Sequence, residues 1–259
     1  MILSNLISRV TGIVVQLYIP WPLNGIVMKL ACAMLNISLK ESQKSLFQFH
    51  RIQDLFTRSL KSEYRPIHDG NRVSPCDGKL QHRGDITADG NMSIKGQDYK
   101  IDDFCGEHVS LEGEYFSIYL SPKDCHQFFM PMDCILETAT HIPGACLPVN
   151  PLLESLLPRL YTRNERVVLT CKAGDTRFYM VMVAALNVGK IVIDGCKSLQ
   201  SNALFRRKKE VFTLNRAYKK GEKCGQFMLG STIVLCFPRN WSSSIALKKD
   251  DLLRYGQLL

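Results

Sequence analysis

The chain changes its hydrophobic period at Arg65-Pro66, and that change limits the architectures open to it. Upstream, apolar residues recur every three or four positions, the spacing of a helix with one apolar side. Leu3, Leu6, Ile7, Val10, Ile13, Val14, Leu17 and Tyr18 share one face, and Ser4, Asn5, Ser8, Arg9 and Gln16 fall on the other. Pro20 and Pro22 break the pattern. A second apolar stretch covers 23–37, with Lys29 inside it, and a third helical pattern covers 45–60. Downstream, short β-like runs alternate with Gly, Asp and Asn turns, at 92–94, 115–120, 167–170, 178–186, 190–193 and 232–237. This pattern predicts an α+β protein, a β-rich core domain of short strands with N-terminal amphipathic helices. The expected division is a helical region over 1–65 and a β-rich domain over 66–259.

With 259 residues, 46% of them apolar, the chain can bury a full core and is not a disordered protein. Its net charge of +9 favours an anionic partner: nucleic acid, an anionic membrane surface or an acidic substrate. Neither of the first two apolar stretches reaches the roughly 18 to 20 uninterrupted apolar residues of a spanning helix. They are expected to lie in a membrane surface; the alternative is a pair of helices packed on the protein's own core. No signal-peptide pattern is evident. The ten cysteines include no Cys-x-x-Cys pair, so free thiols in a reducing compartment are expected and no metal site is.

The chemistry concentrates at Leu229-Gly230-Ser231-Thr232, just before the apolar run Ile233-Val234-Leu235-Cys236-Phe237. Alone, Gly-Ser-Thr before a strand marks a turn. A serine directly after glycine can also attack its own peptide bond. Its hydroxyl adds to the Gly230 carbonyl, an ester replaces the amide, β-elimination cuts the chain, and hydrolysis of the dehydroalanine leaves a pyruvoyl group. Glycine lacks a Cβ and tolerates backbone geometry that other residues resist, and strain at such a bond would favour its rupture.

Four ordered stretches carry a resemblance. Lys-Gly-x-x-x-Gly-x-Phe-x-Leu-Gly-Ser-Thr spans 220–232. It is preceded by Pro75-Cys76-Asp77-Gly78, by Leu120-Ser121-Pro122-Lys123-Asp124-Cys125-His126 and by Arg163-Asn164-Glu165-Arg166. Together they resemble the phosphatidylserine decarboxylase family. The resemblance implies self-cleavage between Gly230 and Ser231 into chains 1–230 and 231–259, and a covalent pyruvoyl cofactor made from Ser231, with neither pyridoxal phosphate nor metal. It implies decarboxylation of phosphatidylserine to phosphatidylethanolamine through a Schiff base to that group. The partners it implies are phosphatidylserine, an anionic membrane surface and the protein's own two chains, with no nucleic acid. The expected location is peripheral, on the cytoplasmic face of the cell membrane.

By the same resemblance Asp77 is the aspartate of an Asp-His-Ser triad, and His126 acts in decarboxylation or in protonating the product. As plain residues, Asp77 reads as a turn aspartate and His126 as a loop histidine. The family places a second histidine three residues after the first, as the base for self-cleavage; here Phe129 stands at that place. Either His126 serves both roles, or His141 reaches the site, or self-cleavage is slow or absent. The last alternative describes an unprocessed, non-catalytic, lipid-surface-binding relative of the same fold. The basic run Arg206-Arg207-Lys208-Lys209 reads as a solvated turn or as a contact to lipid headgroups.

Overall fold

A computed structural model describes residues 2–94, 96–148, 157–186, 190–199, 201–202, 208–241 and 246–259, without the side chains of 2–7 and of Ser231. Continuous apolar runs make its central strands. Those of 178–184 and 232–237 are buried on both sides, and each face meets a different core.

The described strands are β1 (Gly78–Ile86), β2 (Asn91–Ile94), β3 (Gln97–Lys100), β4 (Gly113–Leu120), β5 (Gln127–Phe129), β6 (Cys134–Ile142), β7 (Arg166–Ala173), β8 (Thr176–Ala184), β9 (Ile191–Ile193), β10 (Glu210–Tyr218), β11 (Lys223–Phe227), β12 (Ser231–Pro238) and β13 (Leu252–Leu253). Ten form one antiparallel sheet in the order β10-β6-β7-β8-β12-β4-β1-β2-β3, with β13 also on β1. The other three form a small sheet, β5-β11-β9. The main core lies between the sheets, where Phe128, Phe227 and Ile193 meet Leu80, Phe116, Ile233 and Leu235. A second core covers the opposite face of the large sheet, beneath helices α4 (Ile101–Cys105) and α5 (Leu160–Arg163), through Phe104, Tyr161, Val181 and Val234. The α+β class expected from the sequence is what the chain adopts.

The N-terminal helices are α1 (Ile2–Val14), α2 (Leu23–Leu35) and α3 (Ile52–Phe56). On α1 it is Ser8 that is buried, while Val10, Ile13 and Val14, followed by Leu17 and Tyr18, are more than half exposed. Ile26, Leu30 and Met34 of α2 are exposed as well. Val10, Ile13 and Val14 of α1 therefore point away from the protein, whereas α2 is divided: Met28 and Ala31 pack against Ile37, Phe49 and Leu55, so the alternative of helices packed on their own core is met in part. Among the described residues no helix is long and apolar enough to cross a membrane.

The helix expected over 45–60 is a correction: only a short 3-10 turn (Leu46–Gln48) and α3 form there. Buried Asn24 donates its amide to the carbonyls of both Phe47 (2.8 Å) and Phe49 (3.0 Å), and Phe49 and Arg51 are extended. Those carbonyls are thereby taken from any continuing helix.

Candidate active site

The Gly230-Ser231 bond lies where the chain leaves the small sheet at β11 and enters the middle of the large one at β12. Ser231 stands opposite Leu120 of β4 on one side and Ala184 of β8 on the other. The space at Gly230 is tight rather than closed. A Cβ there would sit 3.3 Å from the Leu120 carbonyl oxygen and 3.5 Å from His126 Nε2. Its φ is not in the left-handed region.

His126 is fully buried. Its Nδ1 lies 2.9 Å from the carbonyl oxygen of Asp124, an acceptor, so Nδ1 carries the hydrogen and Nε2 a lone pair. Nε2 has no hydrogen-bond partner among the described residues, and it is the atom turned toward Gly230. Phe56 packs edge-on against the ring at 5.2 Å. Burial lowers the pKa to about 4, opposed by the Asp124 carbonyl and helped by the positive charge of Arg58. At neutral pH the ring is an uncharged base.

The preceding turn holds that ring. Ser121 donates its N–H (2.8 Å) and its hydroxyl (2.6 Å) to Asp124 Oδ2, and the Asp124 N–H returns to the Ser121 carbonyl. Burial raises the Asp124 pKa, against those bonds. Buried Arg58 ties the turn to α3 by donating to the carbonyls of Lys123 and Leu55, each at 2.7 Å. The roles of Arg58 and Asp124 escape sequence reasoning, although the Ser-Pro-x-Asp spacing is a visible turn signal.

Asp77 occupies a separate corner. Arg65 grips it with two bonds, Nε to Oδ1 (2.9 Å) and Nη2 to Oδ2 (2.6 Å), and also reaches Glu41 at 2.8 Å. The Tyr255 N–H donates to Oδ1 at 2.9 Å. Phe129 stacks on the Tyr255 ring, centroids 3.9 Å apart and planes 14° from parallel. No histidine bonds to Asp77 among the described residues, so the expected aspartate–imidazole pair is not assembled here. Arg65, which sequence reasoning missed, fills that place.

His141 is buried on β6 and bonded through Nε2 to Glu165 Oε1 at 2.7 Å. Two strands, β7 and β8, separate β6 from β12, which puts His141 roughly 14 Å from Ser231 at ordinary strand spacing. The structure does not bring it to the site. Asn164 of the same motif instead pins Ala184, the residue opposite Ser231, by donating to its carbonyl at 2.9 Å. Of the basic run, Arg206 and Arg207 lie outside the described residues, and Lys209 donates to the Gly106 carbonyl.

The family model for phosphatidylserine decarboxylase matches residues 52–259, which include every residue of both corners except Glu41. The chain belongs to the phosphatidylserine decarboxylase family. Curated relatives agree. The mitochondrial phosphatidylserine decarboxylase proenzyme of Caenorhabditis elegans is 39% identical over 213 residues, covering 79% of this chain. The chain spans only 56% of that relative's length. Proenzymes of the same name from Helicobacter pylori and Alcanivorax borkumensis are 36% and 31% identical, with about nine-tenths of this chain and 89% and 84% of theirs aligned.

Proposed function

We propose that this protein cleaves itself at Gly230-Ser231 and decarboxylates phosphatidylserine to phosphatidylethanolamine with the pyruvoyl group so formed. The observation that carries this is the neutral, unpartnered Nε2 of His126 facing Gly230. His126 then serves as the base that Phe129 cannot be. The Ser231 hydroxyl proton passes to Nε2 as its oxygen bonds to the Gly230 carbonyl carbon. The same proton reaches the Ser231 nitrogen as the C–N bond breaks, leaving an ester. Loss of the 231 Cα proton with expulsion of the Gly230 carboxylate gives dehydroalanine, and water replaces its nitrogen, released as ammonia.

The residues present fit such a group. His126 Nε2 and Thr232 Oγ1, the latter on the next residue, are buried polar atoms with no partner among the described residues. The pyruvoyl carbonyl supplies an electron sink for loss of carbon dioxide. His126 can hold a proton and deliver it to the product carbon. An anionic membrane surface as the partner is supported by the exposed apolar residues of α1 and α2 and by the net charge of +9.

A second reading, an unprocessed and non-catalytic lipid-surface protein, is favoured by one observation: Asp77 is already committed to Arg65 and Tyr255. The intact mass of purified protein separates the two. Chains 1–230 and 231–259, the smaller one with a carbonyl-reactive N-terminus, are expected, and Ser231→Ala should leave a single chain. Wild-type protein that stays full length after prolonged incubation would establish the second reading.

A further inference from the structure

Beside the reactive turn lies a pocket of about 320 Å³ that neither the cleavage chemistry nor His126 uses. Its walls are apolar, from Leu35 at the end of α2, Tyr119 of β4 and Leu252 of β13, and it carries two cations, Lys79 and Lys123. We infer that this pocket seats the glycerophosphate part of a phospholipid, with the phosphodiester on Lys79 and Lys123 and the first acyl carbons along Leu35, Tyr119 and Leu252. This deepens the proposed decarboxylase reading and rests on it for the identity of the headgroup.

Three observations carry it. The first is register. Leu252, Lys79, Tyr119 and Thr232 are Cα partners in one row across β13, β1, β4 and β12. The row passes through Thr232, the residue bonded to Ser231. Lys79 and Thr232 are two strand spacings apart, roughly 10 Å, which a lysine stem and a serine-sized headgroup together span. The second is charge. Lys123 is exposed and has no ion-pair partner among the described residues, while Lys79 pairs at 2.8 Å with Asp250, which is itself 57% exposed. An exposed pair of this kind holds loosely and can yield Lys79 to a phosphate. Asp124 is the carboxylate in the wall. Its Oδ2 is occupied by Ser121, and it lies deeper than the lysines, suited to the ammonium end of a serine headgroup rather than to the phosphate. The third is continuity. Leu35 closes α2, whose exposed Ile26, Leu30 and Met34 lead away from the pocket as an apolar track. Apolar walls beneath a cationic rim match an anionic amphiphile and fit neither a free sugar nor a polyanion.

The test is calorimetric titration of full-length Ser231→Ala protein with dihexanoyl phosphatidylserine kept below its micelle concentration. Lys79→Met, Lys123→Met and the double substitution are then added. Methionine keeps the apolar stem and removes the charge. The double variant should bind at least tenfold more weakly, each single variant less so, and the difference should shrink in high salt. Dihexanoylglycerol, which has no phosphate, should bind parent and variants alike. In protein retaining Ser231, the double substitution should raise KM for the same lipid about tenfold and change kcat less. Equal binding of the phospholipid by parent and double variant, or none by the parent, would overturn the inference. So would inorganic phosphate competing as strongly as the lipid, which would mark a plain phosphate site. If lipid binding depends on the lysines but no turnover occurs, the pocket stands and the decarboxylase reading falls.

Discussion

Two corners less than a domain apart treat their ionisable groups in opposite ways. At the His126 corner the ring is buried, neutral and bonded on one nitrogen only among the described residues, and the other nitrogen faces Gly230. At the Asp77 corner each oxygen has a donor, the donating guanidinium is itself shared with Glu41, and an aromatic stack closes the space. A group with spare bonding capacity can do chemistry, whereas a fully bonded one holds structure. On this comparison the proposed processing would rest on a single histidine, with Asp77 a clamp between the N-terminal region and the β-rich one.

The largest test of that contrast is His126→Ala. It should slow the appearance of the small chain by roughly 10²–10⁴-fold, the usual worth of general-base assistance, in time courses of chain separation. Asp77→Ala should act differently. It leaves buried Arg65 with Glu41 as its one carboxylate partner among the described residues, so denaturant unfolding should show a loss of about 3 kcal/mol, with processing slowed much less than by His126→Ala once folded protein is compared. If the two variants stop cleavage equally, the corners work as one unit and the contrast is wrong.

A pH series sharpens the same point. The native His126 pKa, about 4 against an ordinary 6.5, is depressed by burial. The unfolded chain therefore binds this proton first. The contribution to stability is fully present above pH 6.5, is lost as pH falls toward 4, and amounts to at most about 3 kcal/mol. His126→Gln should flatten that part of the pH–stability curve. Cleavage by the wild type should hold its rate from pH 8 down to near 5, because the base stays unprotonated there. The smallest effect is expected from Phe129→His. It exchanges a stacked ring for a more polar one beside a satisfied Asp77, at a cost of about 1 kcal/mol in stability, and should change the processing rate less than threefold. A large acceleration would show that Asp77 can still be recruited.

What the sequence made legible follows from how local each signal is. β4, β7, β8 and β12 stand out because the buried central strands of the large sheet are rich in apolar residues. β1, β6 and β10 did not, since each mixes polar residues into an irregular register, with shifts at Leu80/His82, Leu136/Thr138 and Thr213/Arg216. Gly230, Ser231 and His126 could be singled out because their motifs are contiguous. Arg58 and Arg65 were not. Arg58 bonds to carbonyls 65 and 66 residues away, and carbonyls leave no mark in a sequence. Arg65 reads as one more charge before a proline until the fold brings Asp77 to it.

The position of β12 has a consequence for what a break at its first residue does. The segment 231–259 supplies a strand hydrogen-bonded on both sides, then a second pairing to β1, and ends with Leu259 buried beside Arg72. Severing one bond upstream of it releases no surface and opens no sheet edge. To leave, the fragment would have to expose the facing rows of β4 and β8 and withdraw Ile233, Leu235 and Phe237 from one core and Val234 and Cys236 from the other. The nicked molecule is therefore a non-covalent complementation pair that should travel as one particle in native buffers and come apart only on unfolding. Refolding would then become bimolecular, so an uncut chain would be the form suited to folding and a cut chain, if the proposed cleavage occurs, the form suited to persisting.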